Sequence, residues 1–198
     1  IEMGAMCEEA IASAAKALTT GDMELAGRVK ANSSAIDQME RDIESRCMKL
    51  LLHQQPVARD LRLISAALKM ITDMERIGDQ AEDIAEIVTF LNGHTMEGME
   101  LIEEMARETI EMVTGSVDAF VKKDVELAQK VIDQDDIVDD YFSRVKCGII
   151  SLITENHADG EFALDLLMIS KYFERIGDHA TNIAEWVIYS VTGTHKEV

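Results

Sequence analysis

Two segments of this chain, 99 residues apart, carry nearly the same twelve-residue sequence. Residues 75–86 read ERIGDQAEDIAE and residues 174–185 read ERIGDHATNIAE, so nine of the twelve positions are identical. A weaker match pairs residues 22–26 with residues 124–128, at an offset of 102. Self-similarity at so long a period indicates one structural unit that occurs twice. The two offsets differ by three, which predicts a three-residue insertion in the first copy, and we place it at residues 53–56.

Each copy divides into three helical segments by the spacing of its apolar residues. The chain has 198 residues and a single proline, Pro56, and its sequence is rich in residues that favour helices. Asp22 and Asp124 suit the N-caps of new helices, and Pro56 suits a first helical turn. The predicted helices span residues 1–20, 22–53, 57–92, 96–122, 124–156 and 160–192.

Short connections between long helices make neighbouring helices antiparallel. We therefore predict an all-α protein of two tandem three-helix bundles, with the first in residues 1–93 and the second in residues 94–198. Loops are expected at residues 92–94 and 156–160. Because the chain begins at Ile1, inside the first predicted helix, we expect the N-terminal part of the first bundle to be truncated.

The charge and the cysteines restrict the partners and the compartment. The formal net charge is −19, which repels nucleic acids and anionic lipids and attracts cations or a basic patch on a protein partner. The three cysteines are far apart and form no C-x-x-C pair, which favours a reducing compartment, here the cytoplasm. No apolar run approaches the roughly 18 residues that a membrane-spanning helix needs.

Acidic side chains recur every four residues within the repeated motif. Such residues lie in one row on a helix, where like charges repel. Tolerance of this repulsion indicates a compensating cation. We define the first acidic row as Glu75, Asp79 and Asp83, and the second acidic row as Glu174, Asp178 and Asn182.

The middle helix of each copy offers further carboxylates to face these rows. The second copy has Asp135 and Asp139, whereas the first copy has only Asp37, since Ser33 replaces the other acid. Oxygen ligands from two facing helices suit Mg²⁺, Ca²⁺, Mn²⁺ or iron. The alternative is a network of ordinary ion pairs, because Arg76 and Arg175 lie beside the acids in sequence.

A glycine in the middle of each repeated motif favours the cation-site interpretation. Gly78 and Gly177 each cost about 1 kcal/mol of helix stability relative to Ala. Their presence predicts a close backbone approach or an uncovered ligand site. His179, which follows Asp178 directly, points about 100° away from that acid and is not expected to join the row.

No pattern in the sequence supports catalysis. Nucleotide-binding, nucleophile-elbow and zinc-protease motifs are absent, and so is the Glu-x-x-His of di-iron bundle enzymes. Arg59 and Arg62 present planar guanidinium groups that suit an anion or a partner protein, although salt bridges between helices explain them equally well. Direct sensing of phosphate is not expected, because there is no glycine-rich anion cradle and the chain is acidic.

These motifs resemble those of the PhoU family of phosphate-uptake regulators. Q-P-V-A-R-D-L-R at 55–62 resembles the family's inter-helix signature, and the E-R-I-G-D segments at 75–79 and 174–178 resemble its doubled acidic motif. V-I-D-Q-D-D-I-V-D-D-Y at 131–141 resembles its second middle helix. The resemblance implies multinuclear sites for divalent or trivalent metal ions (iron, zinc, magnesium, manganese or calcium), with Asp83 standing where an asparagine is more usual.

The resemblance also implies a function. The expected protein is a non-enzymatic negative regulator of phosphate uptake and of the phosphate-starvation response. Its expected partners are the ATPase of the phosphate ABC transporter, a sensor histidine kinase and a second copy in a homodimer, at the inner face of the membrane. A carboxylate-bundle metalloenzyme acting as a phosphohydrolase, and a regulatory domain of a sodium/phosphate cotransporter, are the alternatives.

Overall fold

The computed structural model describes residues 1–54, 56–91, 100–156 and 160–194, which form six α-helices. The helices are α1 (Glu2–Thr20), α2 (Met23–Gln54), α3 (Ala58–Phe90), α4 (Glu100–Lys122), α5 (Val125–Asn156) and α6 (Gly160–Thr192). The predicted all-α architecture is confirmed, and each predicted helix lies within a few residues of the observed one. The expected loop residues 92–94 and 157–159, and the boundary between residues 93 and 94, lie outside the described residues.

The two predicted aspartate caps are present, whereas the role predicted for Pro56 is wrong. The backbone N–H of Leu25 donates to Asp22 Oδ1 at 2.9 Å, and that of Leu127 donates to Asp124 Oδ1 at 3.0 Å. Pro56 precedes the N-cap residue Val57, so it lies before α3 rather than in its first turn. Its missing N–H is equally harmless there, because no helical carbonyl needs it.

The six helices pack as two bundles side by side. Helices α1, α2 and α3 contact one another, as do α4, α5 and α6, while α3 packs on α6 and α1 packs on α4 across the two bundles. One continuous apolar core therefore runs through both halves. Its fully buried large side chains include Ile11, Ile77, Ile84, Met105, Phe173 and Ile176.

The three-residue difference between the repeats lies within helices α3 and α6 and not at residues 53–56, where the sequence predicted it. Both α2–α3 and α5–α6 connections span three residues, so no insertion lies at residues 53–56. Instead, seventeen residues (58–74) precede Glu75 in α3, and fourteen (160–173) precede Glu174 in α6. At the other end, four residues follow Glu86 in α3 and seven follow Glu185 in α6. The extra turns are therefore the start of α3 and the end of α6.

No helix among the described residues is both long enough and apolar enough to cross a membrane.

Candidate metal centre

Three carboxylates of the first repeat converge between α2 and α3. Asp37 on α2 and Glu75 and Asp79 on α3 each offer an oxygen, and these atoms lie within 4.8 Å of one another. In the part of the chain that the structure describes, no other three acids, histidines or cysteines lie so close together. Asp37 Oδ1 is also buried without a hydrogen-bond donor. A buried carboxylate oxygen without a partner is costly, so this atom is available for a cation.

The sequence places these acids through helical spacing and one glycine. Glu75 and Asp79 are four residues apart, so they share the face of α3 that packs on α2. A Cβ added at Gly78 would lie 3.0 Å from Ile36 Cδ1, immediately beside Asp37. The absence of a side chain at Gly78 therefore allows α2 to approach α3 at the acidic cluster. The close approach predicted for this glycine is confirmed.

The guanidinium of Arg76 neutralises only part of the negative charge of the three carboxylates in the first cluster. Burial raises the pKa of Glu75, and the neighbouring Asp79 raises it further. Burial likewise raises the pKa of Asp79, followed by the charge of Asp37. Arg76 opposes both shifts, with Nε 3.5 Å from Glu75 Oε2 and one terminal nitrogen 3.4 Å from Asp79 Oδ2. The predicted alternative of ion pairing is thus realised in part, with one guanidinium beside the carboxylates.

The second repeat brings its acids together more loosely. Burial raises the pKa of Asp135 on α5 to about 6, with further contributions from the charges of Asp178 and Asp139. Burial raises the pKa of Asp178 too, followed by the charge of Glu174. These four acids interact across the α5–α6 contact. Glu174 Oε1 pairs with Lys171 Nζ, while Glu174 Oε2 is buried without a donor.

The last member of each acidic row turns toward the other bundle. Residues four apart drift by about 40° around a helix, so the third member of a row lies about 80° from the first. Asn182 Nδ2 donates to Asp73 Oδ1 at 3.2 Å, across the α3–α6 contact. Asp83 has its pKa raised mainly by burial, then by Asp79, and lowered in part by Arg175 of α6.

Residues outside the acidic rows also belong to these surroundings. His179 Nδ1 lies 2.9 Å from Asp73 Oδ1, and both side chains are largely buried between α3 and α6. His179 is outside the second acidic row, as its spacing predicted. Glu40 adds to the raised pKa of Glu75, and its position one turn after Asp37 was the available signal. No sequence pattern indicated Asp73, since it lies outside both acidic rows.

Arg59 and Arg62 lie far from both clusters. Arg62 precedes Glu75 by thirteen residues, which is about 20 Å along an α-helix. Both arginines line a cavity of about 240 Å³ that also contacts Lys123 and the last turn of α6. The structure therefore separates the predicted partner-binding residues from the predicted metal ligands.

This chain matches a known protein family. The model of the PhoU domain matches residues 1–88 and 102–187. A phosphate-specific transport system accessory protein PhoU homolog from Clostridium acetobutylicum is 35% identical over 200 residues, which cover 100% of this chain and 91% of that protein. A homolog with the same description from Pseudomonas aeruginosa is 35% identical over 98% of this chain and 81% of its own length.

Two crystal structures have the same fold. PhoU from Pseudomonas aeruginosa superposes with a TM-score of 0.92 at 35% identity, over 98% of this chain and 93% of that one. The phosphate transport system regulatory protein PhoU from Streptococcus pneumoniae has a TM-score of 0.92 at 26% identity, over 100% of this chain and 93% of that one.

Proposed function

The chain belongs to the PhoU domain family, and we propose that it is an accessory protein of phosphate transport that restrains phosphate uptake and the phosphate-starvation response. The observation that carries the proposal is the match of both repeats, at 35% identity over the whole chain, to a phosphate-specific transport system accessory protein. A protein of this kind acts by contact rather than turnover, in agreement with the absence of catalytic motifs from the sequence.

The proposed partners are the ATPase of a phosphate ABC transporter, a sensor histidine kinase and a second copy of the chain, all at the inner face of the membrane. Large apolar side chains are exposed near two helix–helix connections, and these are the positions that we propose for docking. One group lies near the α2–α3 connection and includes Leu52, Val57 and Leu61. The other lies at the α5–α6 connection and includes Ile153, Leu164 and Met168.

We propose metal ions as part of this regulator. The donor set fits the group, because Asp37, Glu75 and Asp79 supply carboxylate oxygens from two helices and leave Asp37 Oδ1 without a protein donor. Asp135, Asp139, Glu174 and Asp178 are the corresponding ligands in the second repeat. A bound cation would neutralise charges that repel one another and would fix each middle helix against the third helix. Hard, oxygen-preferring ions such as Mg²⁺, Mn²⁺, Ca²⁺ or iron suit these ligands better than zinc.

The contact with the transport ATPase is tested by co-purification. The wild-type chain should retain the ATPase, and Leu164→Asp with Met168→Asp should not, because both side chains are exposed and the fold does not need them. Exposed polar residues on α2, changed as Asp42→Ala with Glu44→Ala, serve as the matched control. A wild-type chain that binds no component of the transporter and leaves phosphate uptake unchanged when its gene is deleted contradicts the proposed function.

Metal content is tested on protein purified without an affinity tag. Elemental analysis should find metal in the wild type and little in a folded variant that combines Glu75→Ala, Asp79→Ala, Glu174→Ala and Asp178→Ala. A variant with four exposed acids replaced (Asp42, Glu44, Asp136 and Asp140) should keep its metal. Hydrolysis of a panel of phosphoesters by the metal-loaded wild type would favour the phosphohydrolase alternative instead.

A further inference from the structure

A basic cavity lies where the start of α3 meets the end of α6. Its volume is about 240 Å³, and its lining includes Arg59, Arg62 and Lys123 together with Asp60 and Ser190. Three cations and one carboxylate give the lining a formal charge of +2 in a chain whose net charge is −19. We call this the basic cavity.

The cations of the basic cavity have no acidic partner among the residues that the structure describes. Within the described residues, Arg59, Arg62 and Lys123 form no ion pair with an acid and no side-chain hydrogen bond. Arg62 Nε is in addition buried without an acceptor. Arg59 and Lys123 are exposed, whereas Arg62 is half-buried, so Arg62 is the cation whose missing acceptor requires an explanation. Buried guanidinium N–H groups rarely lack an acceptor, so Arg62 Nε is available to an anion in the cavity.

Lys123 occupies a backbone conformation that a side chain disfavours. It follows α4 with φ +55°, and its counterpart after α1 in the first repeat is Gly21 with φ +66°. Glycine adopts this left-handed conformation without steric cost, whereas a residue with a Cβ does not. The second repeat keeps a lysine where the first uses glycine, and that lysine lines the basic cavity. Backbone strain of this kind clusters at functional sites, which makes Lys123 a candidate functional residue.

The backbone around the basic cavity is also specific to one end of the molecule. The extra first turn of α3 carries Arg59, and the extra last turn of α6 carries Ser190. After α6, Gly193 has φ +79°, and a Cβ there would lie 3.5 Å from Arg62 Cζ and Nε. The guanidinium of Arg62 therefore lies at ordinary contact distance from position 193. The start of α6 and the end of α3 lack these extra turns.

We propose that the basic cavity binds one small oxyanion of the phosphate class. Arginine presents paired N–H donors that match the oxygens of phosphate, and lysine adds a third positive charge. The volume is below the roughly 300–1,000 Å³ of clefts that hold drug-sized ligands, which favours a small ion. Asp60 should make the cavity prefer hydrogen phosphate to sulfate. Its carboxylate accepts a hydrogen bond from the P–OH of hydrogen phosphate, whereas sulfate has no such donor and is only repelled. This inference does not depend on the proposed function, and it differs from the expectation that the chain has no phosphate site.

Calorimetric titration of the 198-residue chain with inorganic phosphate tests the proposal, with and without a chelator and at constant ionic strength. One phosphate should bind per chain, the chelator should not abolish binding, and sulfate should bind at least about 10-fold more weakly, the factor that corresponds to about 1.4 kcal/mol. Binding that disappears with the chelator would assign the phosphate to metal ions and overturn the proposal, as would equal affinity for both anions with no effect of the variants below.

The decisive variant is Lys123→Gly. It removes the ammonium group and at the same time relieves the left-handed strain, so the thermal stability should be unchanged or higher. Phosphate affinity should nevertheless fall by about 10-fold or more, because a charged donor is lost. Lys122→Gln is the matched control, since Lys122 is the adjacent residue and pairs with Asp118 outside the cavity. Wild-type affinity in Lys123→Gly and in Arg62→Gln would show that the basic cavity does not bind phosphate.

Discussion

Gly177 of α6 lies directly against the carboxylate of Asp135 on α5. A Cβ at position 177 would stand 3.2 Å from Asp135 Oδ1, and Gly78 has the same place in the first repeat, where the nearest atom is Ile36 Cδ1 at 3.0 Å. In both repeats the mid-helix glycine therefore sets the distance between the middle helix and the third helix at the level of the acids. The cost of glycine within a helix is offset by this close approach.

We expect Gly177→Ala to leave the free energy of unfolding without the increase that alanine normally gives a helix. The added Cβ must displace the Asp135 carboxylate or the helix that carries it, and this offsets the gain in helix propensity. Gly148→Ala on α5 is the matched control, because nothing lies within 4 Å of its Cβ position. It should raise the free energy of unfolding by about 0.5–1 kcal/mol. Urea denaturation measures both variants, and an equal gain in Gly177→Ala would contradict a tight contact at Asp135.

The stability of the cation-free protein should fall as the pH rises from about 4 to 7. Burial and the charges of Asp178 and Asp139 raise the pKa of Asp135 from its ordinary value of 3.8 to about 6. Between those two values the folded chain holds a proton that the unfolded chain has released, so the free energy of unfolding decreases with rising pH. The raised pKa values of Glu75, Asp79 and Asp178 act in the same direction.

Asp135→Asn should remove part of this pH dependence. The variant should match the wild type near pH 4 and exceed its stability by about 1 kcal/mol at pH 7, less than the full linkage because solvent screens a half-exposed site. Asp136→Asn, at the exposed neighbouring position, should keep the wild-type slope. Chemical denaturation in the presence of a chelator, at several pH values, measures the slopes. Equal slopes in all three proteins would rule out Asp135 as a source of the pH dependence of stability.

The Asp73–His179 contact should couple the two bundles. Its atoms are 2.9 Å apart, and the two side chains are only 15% and 17% exposed. A double-mutant cycle with Asp73→Ala and His179→Ala should give a coupling energy of about 1 kcal/mol or more, as expected for partners shielded from water. The exposed pair Asp118–Lys122 on α4 is the comparison, and its coupling should stay below about 0.5 kcal/mol. Similar coupling energies for the two pairs would mean that burial adds nothing at the bundle interface.

The helices and the first acidic cluster were predictable because local rules determine them. Asp22 and Asp124 cap helices through contacts within three residues of themselves, and the spacing of Glu75 and Asp79 fixes a shared face whatever surrounds the helix. The repeat then identified Asp37 as the acid on the facing helix. Each of these conclusions needed only the geometry of one helix or of one three-helix unit.

The packing of one bundle on the other was not predictable in the same way. The row geometry grouped Asn182 with the acids, but its side chain instead bonds Asp73 of the other bundle, which no periodicity within α6 indicates. The basic cavity combines α3, α6 and the α4–α5 turn, which lie far apart in sequence. The sequence places Lys123 at a turn but does not indicate its left-handed conformation or its position beside Arg62 in the cavity.

Asp37 should contribute to stability with opposite sign in the absence and in the presence of a cation. Without a cation, its charge raises the pKa of both Glu75 and Asp79, so Asp37→Asn relieves repulsion and should raise the free energy of unfolding by a few tenths of a kcal/mol. With saturating Mn²⁺ or Mg²⁺, the wild type gains stability in proportion to the logarithm of ligand concentration over Kd. The variant should gain less, because it has lost one of three ligands and its affinity should fall by at least about 10-fold. Asp42→Asn, five residues further along α2 and exposed, should respond to the cation like the wild type. Thermal denaturation across a cation series measures both signs, and equal cation-induced stabilisation of Asp37→Asn and wild type would exclude Asp37 from the site.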